Sequence, residues 1–160
     1  MNPKIERLLN DDRIIIKKCE TLPESRLNEL IKKAKELSSK KEFLQLFDAR
    51  SILNRKHLIF AYANAVISTI EKRGKANSVR VEMMRFAALT NQISTAIQIC
   101  GAKDGPFIIF SNSIQAYNSI KKDLSNPVDF EGENKQAYKL LKVKDFDSLA
   151  EKMSLLNLSD

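Results

Sequence analysis

The pattern of apolar and polar positions divides the chain into alternating short β-branched runs and longer helical stripes. After a polar opening over residues 1–12 that ends in a turn at Asn10, Asp11 and Asp12, the run Arg13 to Cys19 is β-branched and bounded by charge, which predicts a buried strand. Pro23 then opens a helix at its first position, with Glu24 in the first turn where the helix dipole favours an acid. Leu27, Leu30, Ile31, Ala34 and Leu37 form its apolar face, and Lys32, Lys33 and Lys35 point elsewhere, toward solvent. A loop over 38–41 leads to a second strand, Glu42 to Phe47, and residues 48–53 carry no clear period.

Asn54 is placed to cap a helix in which apolar residues from Leu58 to Ile67 cover nearly every side, the mark of a helix central to its fold. Gly74 is expected to end it. A second helix starts at Asn77 or Ser78, with Val79, Met83, Phe86 and Ala87 on one face and Arg80 and Arg85 off it. Thr90 or Asn91 caps a third, whose face is Ile93, Ala96, Ile97 and Cys100, and Gly101 fits a left-handed terminating position. Phe107 to Phe110 is the clearest strand. Ser111 or Ser113 caps a helix bearing Ile114, Tyr117, Ile120 and Leu124, which Asn126 and Pro127 break. An acidic, loop-like stretch over 128–134, a short helix from Lys135 to Val143 and a last amphipathic one through Phe146, Leu149, Ala150 and Met153 complete the chain. The expected fold is α+β, a small mixed sheet of about three to four strands packed with about seven helices, in a single domain over 1–160.

Composition narrows the partners. At 160 residues, 43% hydrophobic and 29% charged, the chain matches an ordinary globular domain. Its net charge of +7 favours an anionic partner: nucleic acid, an acidic protein or phospholipid head groups. Cys19 and Cys100 lie far apart without a CxxC and read as buried thiols of an intracellular protein. No apolar run is long enough for a membrane span, and the first residues have the wrong order for a secretory signal, so a cytoplasmic protein is expected.

Enzyme signatures are missing. Four glycines cannot write a phosphate-binding loop, and a single His excludes sites built on paired histidines, so no cofactor or metal is expected. Cys100 sits on an apolar stripe, where a thiol is inert packing. The carboxylate pairs Asp11 with Asp12 and Glu131 with Glu133 fall in polar loops, without the burial that would tune a catalytic pKa.

Two stretches carry positive signals. Arg55, Lys56 and His57 stand in the first turn of the central helix, where the dipole disfavours cations. Either they join the free backbone N–H groups in an anion site, or Arg55 and Lys56 project into water while His57 is hydrogen-bonded in the core. The stretch from Arg80 through Arg85 and Phe86 to Asn91 and Gln92 offers a guanidinium, an aromatic face and side-chain amides, the groups that single-stranded RNA readers use. Phe86 at helical spacing reads more readily as core than as a stacking platform.

The block Lys56, His57 and Leu58 with Ala61 and Ala65, then Ser78 and Glu82 to Ala87, then Gln92, Ile93, Ala96 and Ile97 before Gly101 to Gly105 (GAKDG) resembles the small kinase-binding subunit of the KEOPS complex, the TPRKB family. The resemblance is carried by about a third of the chain, 54–110. It implies a non-catalytic accessory subunit that binds the complex's atypical small kinase/ATPase, contacts the remaining KEOPS subunits indirectly and does not touch a membrane. It also implies that the subunit recruits tRNA through its single-stranded CCA end, in support of threonylcarbamoyladenosine formation. Lys56 and His57 match the family's basic pair, and Gln92 and Ile93 its QI motif. The tRNA-binding set implied here is Arg55, Lys56, His57, Arg80, Arg85, Phe86, Asn91 and Gln92, and a kinase-binding surface is expected around Tyr62, Ile70 and Met84. The chain departs from archaeal relatives in carrying Leu89 where a glycine is common. A regulatory kinase-binding module without RNA contact is the alternative.

Overall fold

The computed structural model describes residues 3–71 and 78–156. In chain order the elements are α1 (Pro3–Leu9), β1 (Ile15–Cys19), α2 (Glu24–Glu36), β2 (Leu44–Asp48), α3 (Arg55–Ile70), α4 (Val79–Ala88), α5 (Ile93–Cys100), β3 (Phe107–Ser111), α6 (Ile114–Ile120), β4 (Val128–Asp129), α7 (Gln136–Leu141) and α8 (Phe146–Leu156). One-turn 3-10 helices occupy Ala49–Ser51 and Lys121–Asp123. The expected end of the central helix at Gly74, and Asn77 as a possible start of the next, lie outside the described residues.

The strands run in the order β2-β3-β1-β4, and every pairing is antiparallel, so the sheet is not mixed. Lys17 of β1 stands opposite Ile109 of β3, which stands opposite Leu46 of β2. Because side chains alternate across a strand, this register puts Ile16, Phe47, Ile108 and Phe110 on one face, and Cys19, Leu44, Leu46, Phe107 and Ile109 on the other. The first face packs beneath α3, α4, α5, α7 and α8. The second is covered by α2 through Leu27, Leu30 and Ala34, and by α6 through Tyr117 and Ile120. The result is a sheet between two helical layers, which is why β2 and β3 are buried at every position and read as continuous apolar runs.

Local chemistry sets the element ends. The Asn54, Ser78 and Ser113 side chains accept N–H bonds from His57, Val81 and Ala116 and so cap α3, α4 and α6. Pro23 is the residue before α2, not its first helical one. α5 is flanked by Gln92, which makes no side-chain capping bond, so neither Thr90 nor Asn91 is its cap. Gly101 follows α5 in an extended conformation, φ −68°, not a left-handed one. Its lack of a side chain is needed for space: a Cβ there would sit 2.5 Å from the Ile97 carbonyl oxygen, and Gly101 bridges Phe47 on the edge of β2. The left-handed residue is Leu89, φ 57°, at the end of α4.

Two elements stand where the sequence reads as loop. α1 forms in the polar opening and buries no residue fully, although Leu8 and Leu9 rest against the core. β4 adds two exposed residues to the sheet, paired with Lys17 and Lys18. Among the described residues no helix is long and apolar enough to cross a membrane.

Candidate functional site

The first turn of α3 separates into one buried and two outer residues. His57 is completely buried, and both of its ring nitrogens are used. Nδ1 accepts the Leu53 N–H at 3.0 Å, so the proton sits on Nε2, which donates to the Ala87 carbonyl oxygen at 2.9 Å. Desolvation holds the imidazole neutral and lowers its pKa to about 4, against the opposing effect of the Ala87 bond. His57 is therefore no phosphate ligand. It is a tie between the first turn of α3 and the last turn of α4.

Arg55 and Lys56 differ in turn. Arg55 is partly exposed and lines a cleft that also holds Asp129 and Glu131. It adds to the lowering of the Asp129 pKa, which is caused first by the Lys17 hydrogen bond. Lys56 is exposed and makes no ion pair among the described residues.

Arg85, expected at an RNA surface, is buried as well. Its side chain is 2% exposed and that of Glu82 0%, and the two form a forked pair, Nε to Oε1 at 3.2 Å and Nη2 to Oε2 at 2.5 Å. The remaining arm, Nη1, donates to Asn91 Oδ1 at 2.7 Å. A buried charge must be paired, and here the pairing leaves one donor to hold the α4–α5 connection from below. Phe86 is fully buried among the core residues, with the Arg85 guanidinium 5.5 Å from its ring centre, so it is not a stacking platform for a base. Arg80 sits at the other end of α4, where burial lowers its pKa and its Nη1 donates to Gln45 Oε1 at 3.2 Å.

The His57–Ala87 bond sets the α3 first turn against the end of α4, and Leu89, Thr90, Asn91 and Gln92 follow directly. Thr90 Oγ1 accepts the Gln92 N–H at 3.2 Å, and the exposed Gln92 accepts the Thr95 hydroxyl at 3.1 Å. His57 thus ties the first turn of α3, where Lys56 is exposed, to the last turn of α4, which Asn91 and Gln92 follow in the chain, while Arg80 stands at the opposite end of α4.

The residues expected to face a kinase differ in exposure. Tyr62 packs on Phe43 and Phe110, Met84 is 4% exposed, and Ile70 stands 69% exposed at the end of α3. A different apolar feature lies between α2, α4 and α5: a groove of about 230 Å³ with Ala34, Leu46 and Met84 on its floor, Ile31 and Ile97 on its walls, and Lys35 and Arg80 at its rim. Ile97, taken from its spacing as part of the core face of α5, is 54% exposed, because Ile99 packs inward in its place. In α2 only Leu27, Leu30 and Ala34 of the expected apolar face are buried, and Ile31 and Leu37 are each 37% exposed.

The family model described as kinase binding protein CGI-121 matches residues 24–152. The chain belongs to this family. Among curated proteins, none matches it. The CGI-121 match spans all the residues of the α3–α4 crossing and of the apolar groove, and leaves α1 and β1 outside. Its description makes a kinase the partner and points to an accessory rather than a catalytic role. For a CGI-121 protein, a groove with apolar walls is the feature that sequence reasoning missed.

Proposed function

We propose that this CGI-121 family member is an accessory subunit of the KEOPS complex. It docks on the atypical kinase and presents the single-stranded CCA end of tRNA for threonylcarbamoyladenosine formation. The observation that supports the RNA part is the His57–Ala87 bond, which ties the turn bearing the exposed Lys56 to the end of α4, just before Asn91, Gln92 and the uncapped start of α5. A phosphate there would meet an ammonium and free backbone N–H groups, and the two amides could read base edges. His57, Arg85 and Phe86 act from beneath, by fixing the backbone that displays those groups.

The test is binding of intact tRNA against tRNA lacking CCA, with Lys56→Glu and Gln92→Ala. Intact tRNA is expected to bind at least tenfold more tightly, and both substitutions to remove most of that difference. Equal affinity for the two tRNAs would sink the CCA role.

The kinase part is assigned to the groove between α2, α4 and α5, whose exposed Ile31 and Ile97 suit an apolar segment of the partner. Ile97→Asp is expected to abolish co-purification with the kinase while leaving the chain folded; retention of the kinase would move the interface elsewhere. One observation favours the alternative of kinase regulation without RNA contact. Burial of His57 and Arg85 leaves few free cations at the crossing. In that case kinase binding persists, and no tRNA affinity is measurable.

A further inference from the structure

A second cleft, of about 640 Å³, lies away from the α3–α4 crossing, among the lead into β1, the loop before β2, the end of β3 and the middle of α3. We infer that it is a binding site for a phosphate ester of nucleotide size, held by Lys40, Lys41, Arg13 and the Tyr62 hydroxyl.

The cleft is built rather than loose. Asn112 joins three of its walls: Oδ1 accepts the Phe43 N–H at 2.8 Å, while Nδ2 donates to the Lys41 carbonyl at 2.8 Å and to the Tyr62 hydroxyl oxygen at 3.1 Å. Ser39 closes the loop on itself, its N–H donating to the Glu42 carbonyl at 2.7 Å and its Oγ accepting the Glu42 N–H at 3.1 Å. Lys40 and Lys41 are therefore displayed from a stapled turn, both exposed and without a carboxylate partner among the described residues. Arg13 is held by Asp11 through Nε at 3.1 Å and Nη2 at 2.9 Å, which keeps Nη1 available.

Tyr62 supplies the directional element. Its oxygen accepts from Asn112, and its own proton has no acceptor among the described residues. Its ring is fixed against Phe43 and Phe110, so the hydroxyl cannot swing away. Of the carboxylates lining the cleft, Asp11 is neutralised by Arg13 and only Glu42 is unpaired, which leaves a net positive site. Several convergent donors around fixed aromatic and apolar walls, at a volume within the usual range for small-ligand sites, suit a phosphate attached to a flat body. The phosphate can belong to a free nucleotide or to a nucleotide within an RNA chain; the chemistry that holds it is the same.

The test is a heteronuclear NMR titration of the full chain with AMP, inorganic phosphate and a short single-stranded RNA. Saturable shifts are expected at 39–42, Tyr62 and Asn112. AMP shifting them identifies a free nucleotide as the source, and RNA alone identifies the chain-borne one. The Lys40→Ala/Lys41→Ala double variant is expected to weaken the interaction about tenfold or more and Tyr62→Phe severalfold, the loss of charge-assisted and neutral hydrogen bonds respectively. Lys56→Glu is expected to leave the shifts produced by AMP and by inorganic phosphate unchanged, which separates this site from the CCA reading. Absence of saturable shifts with all three probes, or binding indifferent to both variants, overturns the proposal.

Discussion

His57 and Arg85 are buried by the same crossing of α3 and α4, yet they meet burial in opposite ways. His57 gives up its charge: both nitrogens are satisfied by backbone groups, and the ring is neutral. Arg85 cannot deprotonate, so it keeps its charge and brings a carboxylate with it, Glu82, one helical turn back. A histidine can serve as a neutral strut between two backbones, whereas an arginine in the same layer demands a partner on its own helix and then has a donor to spare. That spare donor, on Asn91, is what couples the core to the surface connection.

The comparison breaks most visibly at the ion pair. Glu82→Ala strands the Arg85 charge and is expected to cost about 3–5 kcal/mol in urea unfolding, whereas Glu82→Leu combined with Arg85→Met restores most of the loss. If the double variant is as unstable as the single one, the stabilising element is the Asn91 contact and not the pairing.

For His57 the contrast appears in pH. Its pKa is about 4 in the folded chain against 6.5 when exposed, so the unfolded state binds more protons between those values. Stability contributed by neutral His57 is complete above pH 6.5 and falls as the pH drops toward 4, by about 3 kcal/mol in all. His57→Gln is expected to flatten this dependence in unfolding curves taken across that range; an unchanged slope would place the titration elsewhere.

The smallest effect concerns Leu89, which ends α4 just beyond the carbonyl that His57 holds. Leu89→Gly relieves a left-handed backbone but gives up packing against the core, and is expected to stay within about 1 kcal/mol of the parent. Leu89→Val adds a β-branch at the same φ and is expected to lose roughly 2 kcal/mol, read as a lower thermal midpoint.

What could be read from the chain followed from local rules. The caps Asn54, Ser78 and Ser113, the amphipathic face of α2 and the strand at Phe107 depend on neighbouring residues, and they are legible for that reason. α1 and β4 exist through distant partners, α3 and β1, and neither carries a periodic pattern of its own. The site followed the same division. Lys56 and Gln92 are exposed while His57 and Arg85 are buried, because whether a basic residue meets water or becomes a strut is decided by what crosses over it. A hint lay in the i, i+3 spacing of Glu82 and Arg85, which places an acid within reach of the guanidinium on one helix face. Nothing comparable marks Ile97, whose exposure depends on which of two isoleucines α5 turns inward.

The two free thiols described by their burial have a practical meaning. Cys19 belongs to the layer beneath α2 and α6, Cys100 to the layer beneath α3 and α4, and desolvation pushes both up to about 12. Folded, neither offers a thiolate to an alkylating reagent at neutral pH. Each becomes reactive only when its own side of the sheet opens, so the chain carries one built-in clock per layer. The two alkylation rates, followed by mass spectrometry, would report whether the layers come apart together or in turn.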